Sequence, residues 1–138
     1  MYPEPLVKPM KAEMTAVGFD ELLSADAVDQ VLSEKNGTVL VFVNSVCGCA
    51  AGAARPGVRL SLEGSPKKPA RLTTVFAGFD TEAVNRARQF MLPYPPSSPC
   101  IALFKDGKLV HFIERHHIEG RTPQLIAENL RMAYEHFC

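Results

Sequence analysis

The segment that most restricts the fold of this chain is Thr38–Val43, a continuous run of β-branched and apolar residues. A strand with one solvated face alternates polar and apolar side chains, and this segment does not alternate. We therefore predict a strand covered on both faces, as in a sheet with helices packed on each side. Because 138 residues is the size of one ordinary domain, we expect residues 1–138 to form a single domain.

The other predicted elements are helices and strands that alternate along the chain. They are an extended proline-rich start, helices over 7–17 and from Ser24 to near Asn36–Gly37, a helix over 50–62 bent or interrupted at Pro56 and Gly57, a strand over 72–77, a helix from the Asp80 cap to Phe90, a hairpin of strands 100–104 and 108–113, and a helix that begins at Thr122 and Pro123. The first two strands are joined by a helix, so they should be parallel, and the hairpin adds an antiparallel edge. The predicted fold is a three-layer α/β/α sandwich with a mixed central sheet and an N-terminal helical extension.

Composition and charge argue against two classes of partner. Lys+Arg and Asp+Glu both number 15, so the chain lacks the basic footprint of a nucleic-acid binder or of a membrane-surface protein. No apolar run reaches the roughly 18 residues that span a bilayer, and the start, MYPEPLVKPMKAEM, lacks the order of a secretory signal. We therefore expect a soluble, cytoplasmic protein. In a reducing compartment, a close pair of cysteines is more often catalytic or metal-binding than structural.

Such a pair follows the predicted strand in the sequence Cys47-Gly48-Cys49. Helical positions two apart have Cα atoms about 5 Å apart, within the range that a disulfide tolerates. We expect Gly48 to supply backbone angles that other residues avoid. At the start of a helix, unpaired N–H groups and the helix dipole favour a thiolate, so Cys47 is the expected nucleophile. Cys49, one step into the helix, is the expected resolving cysteine of a redox pair.

Other interpretations of these cysteines stay open from the residues alone. Both thiols are compatible with buried core positions, or with a metal- or iron–sulfur-binding module in which Cys100 is a third ligand. Pro99, at the start of a predicted strand, fits either an ordinary turn or a cis proline. A purely structural or interaction protein is a third class, in which both cysteines would be dispensable.

Two groups of polar residues have both a functional and a solvated interpretation. His116-His117 fits a zinc site or a solvated loop, and no metal-ligand spacing supports the zinc site. Arg55, Lys67 and Lys68 fit either the attraction of an anionic thiol or a solvated face. We favour the solvated interpretation for both groups, and we expect no metal and no cofactor.

Several segments, in order along the chain, resemble the bacilliredoxin family, which has a thioredoxin-like fold. They are VNSVCGCAAGAARP (43–56), VFAGFD (75–80), PPSSP (95–99), VHFI (110–113), RHHIEG (115–120) and the terminal aromatic residue and Cys. The resemblance implies a thiol–disulfide oxidoreductase that attacks mixed disulfides between proteins and a low-molecular-weight thiol, bacillithiol in that family, with weak disulfide isomerase activity. It implies that Cys47 takes up the small thiol and Cys49 releases it. It also implies that Pro99 is a cis proline facing the pair, with Ser98 and Cys100 as candidate accessory residues.

This sequence departs from the thioredoxin pattern in front of the first active-site cysteine. Thioredoxins keep a buried carboxylate six positions before that cysteine, and this chain has Val41 there. The proton of Cys49 must therefore pass to water or to another group. Glu13, Glu119 and His117 are the candidates, and the sequence does not choose among them.

A second departure follows the proline. Cys100 stands where the family pattern leads us to expect Ser. Its thiol is either a third redox partner for Cys47 or merely a small strand residue. We favour the second interpretation.

Overall fold

The computed structural model describes residues 1–33, 35 and 37–138. In chain order the elements are α1 (Glu4–Thr15), β1 (Asp20–Glu21), α2 (Ala25–Leu32), β2 (Thr38–Asn44), a π-helical segment (Ala50–Ala54) that runs directly into α3 (Arg55–Leu62), β3 (Arg71–Phe76), α4 (Thr81–Phe90), β4 (Cys100–Lys105), β5 (Lys108–Ile113), α5 (Arg115–Ile118) and α6 (Pro123–Phe137). The predicted order of helices and strands is confirmed. The short elements β1 and α5 were not predicted.

The described strands form one mixed sheet in the order β1-β3-β2-β4-β5. Strand β2 pairs in parallel with β3 and antiparallel with β4, and β4 forms the predicted hairpin with β5. Strand β2 is therefore central, and all of its residues are buried. The predicted buried strand, its parallel neighbour and the antiparallel edge are all confirmed.

The side chains of β2 alternate between two hydrophobic cores, one on each face of the sheet. Val39, Val41 and Val43 pack in the core formed with α2 and α4. Leu40 and Phe42 pack in the core formed with α1, α3 and α6. Because both faces are covered, the strand has no polar alternation, which is the pattern that predicted it. The three-layer α/β/α sandwich is confirmed.

The N-terminal segment differs from its prediction, because α1 begins at Glu4 and not near residue 7. Pro5 lies in the first turn, where a missing N–H removes no helical hydrogen bond. Pro9 lies within the helix, yet the inner face of α1, with Val7 and Met14, is fully buried. Packing of that face outweighs the local preference of the prolines for extended backbone.

Two further boundaries differ from their predictions. Helix α2 ends before the predicted Asn36–Gly37 stop, and Asn36 lies outside the described residues. Pro56 does not interrupt the helical run, because it occupies the first turn of α3. Gly57 permits close packing of helices: a Cβ there would lie 2.8 Å from Cβ of Ile126 on α6.

The helix caps were predicted correctly at two of three positions. Backbone N–H groups of α2 and α6 donate to Ser24 Oγ at 3.1 Å and to Thr122 Oγ1 at 3.2 Å. Asp80 precedes α4, but its side chain makes no capping hydrogen bond. It forms an ion pair with Lys11 of α1 at 2.8 Å instead, which ties α1 to the end of the sheet.

Candidate active site

The Cys-Gly-Cys segment lies at the carboxyl end of β2, where the chain turns into a helix. Strand β2 ends at Asn44, and helical hydrogen bonds begin at Cys47, whose carbonyl oxygen accepts from the N–H groups of Ala50 and Ala51 at 2.9 and 3.2 Å. Sites in α/β sheets are commonly built at the carboxyl ends of strands. The strand–turn–helix position expected from the sequence is therefore the position in the structure.

The two sulfurs face each other and are partly exposed. Sγ of Cys47 and Sγ of Cys49 lie 2.7 Å apart, and both residues are free thiols. The expected conformational role of Gly48 is wrong: its φ lies outside the left-handed region, and a Cβ there would meet no atom within 4 Å. The pair thus meets without a glycine-specific turn between its members.

The environment shifts the two thiol pKa values in opposite directions. The pKa of Cys47 is lowered, first because the Cys49 thiol hydrogen-bonds to it, with further help from the backbone N–H of Cys49 and the charge of Arg115, against opposition from burial. Burial, followed by the interaction with Cys47, raises the pKa of Cys49 to about 11. Cys47 therefore deprotonates first, and a thiolate is the nucleophilic form of cysteine.

A buried arginine, Arg55, stabilises the turn between β2 and the cysteine pair. Arg55 is 2% exposed, and its Nη1 donates to Asn44 Oδ1 at 3.1 Å and to the Ser45 carbonyl at 2.8 Å. Its Nε lies 3.1 Å from Glu13 Oε2, an ion pair without a hydrogen bond. Ser45 Oγ in turn accepts from the N–H of Cys47 at 3.2 Å. The chain of contacts from Arg55 to Cys47 holds the turn in one conformation.

The basic residues singled out from the sequence do not face the cysteines as a solvated group. Arg55 is a buried part of the turn, so its assignment to a solvated face is wrong. Lys67 and Lys68 are exposed before the start of β3, and Lys67 pairs with Glu135 at 3.8 Å. The Cys pair follows the end of β2, and β3 runs parallel to β2. The start of β3 therefore lies at the opposite end of the strands from the Cys pair.

Arg115 is the cation beside the cysteines, and the sequence analysis did not single it out. It opens α5 directly after β5, and its charge acts on both Cys47 and Cys49. Its backbone N–H donates to Ser97 Oγ at 3.3 Å. The signal that finds it is topological: Ile113, the last residue of β5, pairs with Ile101 near the start of β4. The residue after β5 must therefore lie beside the segment before β4.

Ser98 and Pro99 lie beside the end of β2. The Ser98–Pro99 peptide bond is cis, the geometry that the resemblance implies, and Pro99 is buried. The next residue, Cys100, pairs with Val43 of β2. Ser98 and Cys47 line one open cleft, with a volume of about 430 Å³. This brings the segment before β4 next to the Cys47 thiol.

Cys100 occupies the opposite side of the sheet from Cys49. It is fully buried in the core formed with α2 and α4, whereas Cys49 packs against the other core. Burial raises the pKa of the Cys100 thiol to about 12, so it stays protonated at neutral pH. These observations favour a small strand residue over a third redox partner.

The structure gives no support to the metal- or iron–sulfur-binding alternative. Among the residues that the structure describes, Cys47, Cys49 and Cys100 do not form a group with their sulfurs close enough for one ion. The histidine pair is on the one-turn helix α5, not in the expected loop, and clusters there with Glu114. The two histidines are exposed, as their solvated interpretation implies.

The three candidate proton acceptors differ in their surroundings. Glu13 forms ion pairs with Arg55 and Arg59, and His117 Nδ1 accepts a hydrogen bond from the N–H of Glu114, the residue before α5. Glu119 pairs with Arg115, and its charge raises the pKa of Cys49. The position of Val41 is apolar and buried in the core with α2 and α4.

The fold, together with the pair of free thiols after the end of β2, defines a thioredoxin-fold thiol–disulfide oxidoreductase. The fold is similar to that of oxidised mitochondrial thioredoxin 3 from Saccharomyces cerevisiae, with a TM-score of 0.60, 14% identity and coverage of 91% of this chain and 99% of that one. It is also similar to thioredoxin from Trypanosoma brucei brucei, with a TM-score of 0.58, 18% identity and coverage of 86% and 92%. No helix in the described part of the chain is long and apolar enough to cross a membrane.

Sequence comparison gives the family. Residues 2–138 match the family described as "Disulphide isomerase", and the chain belongs to that family. It is 64% identical over 135 residues to a bacilliredoxin of Cytophaga hutchinsonii, covering 98% of each chain. It is 49% identical to a bacilliredoxin of Halalkalibacterium halodurans, covering 99% of this chain and 94% of that one. The resemblance seen in the sequence is confirmed.

Proposed function

We propose that this enzyme reduces mixed disulfides between proteins and a low-molecular-weight thiol of the bacillithiol type, with Cys47 as nucleophile and Cys49 as resolving cysteine. The observation that carries the proposal is the pair of reduced sulfurs 2.7 Å apart beside an open cleft. Their pKa values are shifted in opposite directions, which separates the two roles. The bacilliredoxin relatives support the same chemistry.

The first step is attack by the Cys47 thiolate on the sulfur of the small thiol. A Cys47–small-thiol disulfide forms, the bond between target and small thiol breaks, and the target leaves as a thiolate that takes a proton from solvent. Cys49 then loses its proton and attacks Sγ of Cys47, forming the Cys47–Cys49 disulfide and releasing the small thiol. The mixed disulfide gains two electrons, which reduce the target and the small thiol to free thiols, and the cysteine pair loses two. An external thiol or dithiol must supply two electrons before the next cycle.

The proton of Cys49 must be removed in the second step. Its pKa, raised to about 11, falls once Cys47 is bound in a disulfide, because the neighbouring thiolate no longer opposes a second charge. We assign acceptance of the proton to water, or to Glu119 through water, since Glu119 is the candidate carboxylate whose charge reaches Cys49. Ser98 lines the cleft together with Cys47, and we assign to it and to the cis Pro99 that follows the role of holding the disulfide of the substrate.

The same pair is suited to weak disulfide isomerase activity, in which Cys47 attacks a protein disulfide and is displaced by another thiol of that protein. The description of the matching family supports this secondary activity. We place both reactions in a reducing cytoplasm, where small-thiol adducts of proteins must be reversed.

Trapping the intermediate tests the assignment of roles. Cys49→Ser, treated with a model protein that carries a bacillithiol mixed disulfide, should retain the small thiol on Cys47, as a mass increase located by peptide mapping. Cys100→Ser is the matched control, and it should release the small thiol as the wild type does. Retention of the small thiol on Cys49 in Cys47→Ser, together with no adduct on Cys47 in Cys49→Ser, would reverse the roles. Failure of the wild type to release the model protein would reject the proposal.

A further inference from the structure

The cleft beside Cys47 has the size and the charge of a small-ligand site. Its volume of about 430 Å³ falls within the range of small-molecule pockets, roughly 300–1,000 Å³. Among the described residues that line it, Arg115 is the charged one and no carboxylate is present. A ligand joined to Cys47 in this cleft therefore faces one cationic side chain in the lining and no carboxylate in it.

The guanidinium of Arg115 is oriented toward the cleft by its neighbours. Its Nε pairs with Glu119, and its Nη1 lies 3.5 Å from the carbonyl oxygen of Ser98, which itself lines the cleft. Within the described chain, Nη2 makes no hydrogen bond. Glu119 is not part of the lining, and an exposed ion pair of this kind holds its partners only weakly. The Nη edge is thus available to a bound anion.

The rest of the cleft is suited to a short organic chain. Tyr2 forms one wall, and its backbone N–H donates to the Gly78 carbonyl at 3.1 Å. The Tyr2 ring lies so close to Gly78 that a Cβ there would be 2.5 Å from a ring carbon. Val46 and Ala77 add apolar lining. Ser45 and Ser98 add hydroxyl groups, so the lining is mixed, and together with a single cation at one side it matches a small polar molecule with a carboxylate at its end.

We infer that this cleft is a subsite for the small-thiol half of the mixed disulfide, and that Arg115 selects small thiols that carry a carboxylate. The inference rests on the proposed function, because the ligand reaches the cleft through its disulfide with Cys47. The covalent chemistry is unchanged: while Cys47 and the small thiol are joined, the carboxylate accepts hydrogen bonds from the Nη edge of Arg115. Planar guanidinium and carboxylate groups pair well in this geometry.

Arg115 also stabilises the Cys47 thiolate, and this second effect must be separated from selection. A larger fraction of Cys47 in the thiolate form accelerates attack on every disulfide by the same factor. Selection for a carboxylate changes the ratio of rates between a charged and an uncharged small thiol. The ratio is therefore the quantity that isolates the subsite.

The experiment compares two mixed disulfides of one model protein, made with 3-mercaptopropionate and with 3-mercaptopropionamide. These probes have nearly the same shape and differ by one charge. The measured quantity is the kcat/KM for release of the protein thiol in the presence of a dithiol reductant. We expect the wild type to prefer the carboxylate probe by roughly threefold to fivefold, the scale of an exposed ion pair. The preference should fall toward one at high ionic strength, because salt screens an open site.

Variants of the full-length enzyme give the decisive comparison. Arg115→Gln should reduce the ratio to about one whatever happens to the absolute rates, and Arg115→Lys should keep part of it. The matched control is Lys68→Gln, which removes an exposed cation before β3, far from the cleft, and should leave the ratio unchanged.

The outcomes separate the inference from the proposed function. A wild-type ratio of one, or an unchanged ratio in Arg115→Gln, would overturn the subsite while release of both probes still supported the reductase activity. Release of neither probe would reject the reductase activity itself. Circular dichroism of the variants shows whether they are folded, and the exposed position of Arg115 on a one-turn helix gives no reason for unfolding.

Discussion

Replacement of Arg55 by methionine should destabilise the protein by about 2–4 kcal/mol. The variant leaves the buried Ser45 carbonyl without the donor that now lies 2.8 Å away, at a cost of roughly 1–3 kcal/mol for an unpaired buried group. It also removes the charge-assisted hydrogen bond to Asn44 at 3.1 Å, which contributes roughly 1.5–3 kcal/mol. Methionine fills most of the volume, and the cost of burying the cation disappears, so the sum is offset in part.

The matched control lies one turn further along the same helix. Arg59 contacts the same carboxylate, Glu13, at 3.3 Å, but its side chain is 36% exposed. Arg59→Met should therefore cost less than about 1 kcal/mol. Urea unfolding of both variants measures the free energy of unfolding. The alkylation rate of Cys47 shows whether the environment of its thiol in the turn has changed. Equal losses in the two variants, or no loss in Arg55→Met, would refute the view that the buried cation supports the turn.

Three other substitutions test separate parts of the structure. Cys49→Ala should raise the pKa of Cys47, because it removes the thiol that hydrogen-bonds to the thiolate. The midpoint of Cys47 alkylation against pH should then move upward. An unchanged midpoint would assign the lowered pKa of Cys47 to other groups. Gly57→Ala should lower the free energy of unfolding by about 1–2 kcal/mol, because a Cβ 2.8 Å from Ile126 of α6 overpacks the contact and this cost exceeds the gain in helix propensity. Gly52→Ala, where a Cβ would meet nothing within 4 Å, should be neutral or stabilising in the same urea titration. Cys100→Ser should leave kcat unchanged in the reductase assay, and a large loss there would show that the buried thiol takes part.

The central part of the fold could be predicted because local pattern and tertiary environment agree there. The apolar run of β2 is buried on both faces, and the Asp106–Gly107 turn joins the hairpin. The position of the cysteine pair could be predicted for the same reason, because the sequence pattern indicates both the strand before the pair and the helix after it. Helix α1 was not predicted to its start, because its prolines suggest extended backbone while its buried face is visible only in three dimensions.

The parts of the site that were missed all depend on long-range contacts. Arg115 is distant in sequence from Cys47 and reaches it only through the register of the hairpin. Arg55 looks like an ordinary surface residue until Asn44 and Ser45 are seen to surround it. Periodicity and composition carry no information about such partners, whereas the topology of β4 and β5 does.

The burial of Cys100 gives this enzyme a built-in reporter of core opening. Cys100 lies on β4, and its thiol is covered by the α2–α4 layer, so it reacts with a modifying reagent only when this core opens. Under native conditions, with Cys47, Cys49 and the exposed Cys138 blocked, its slow modification measures the free energy of that opening event. The buried Cys100 thus records how often the core around it opens.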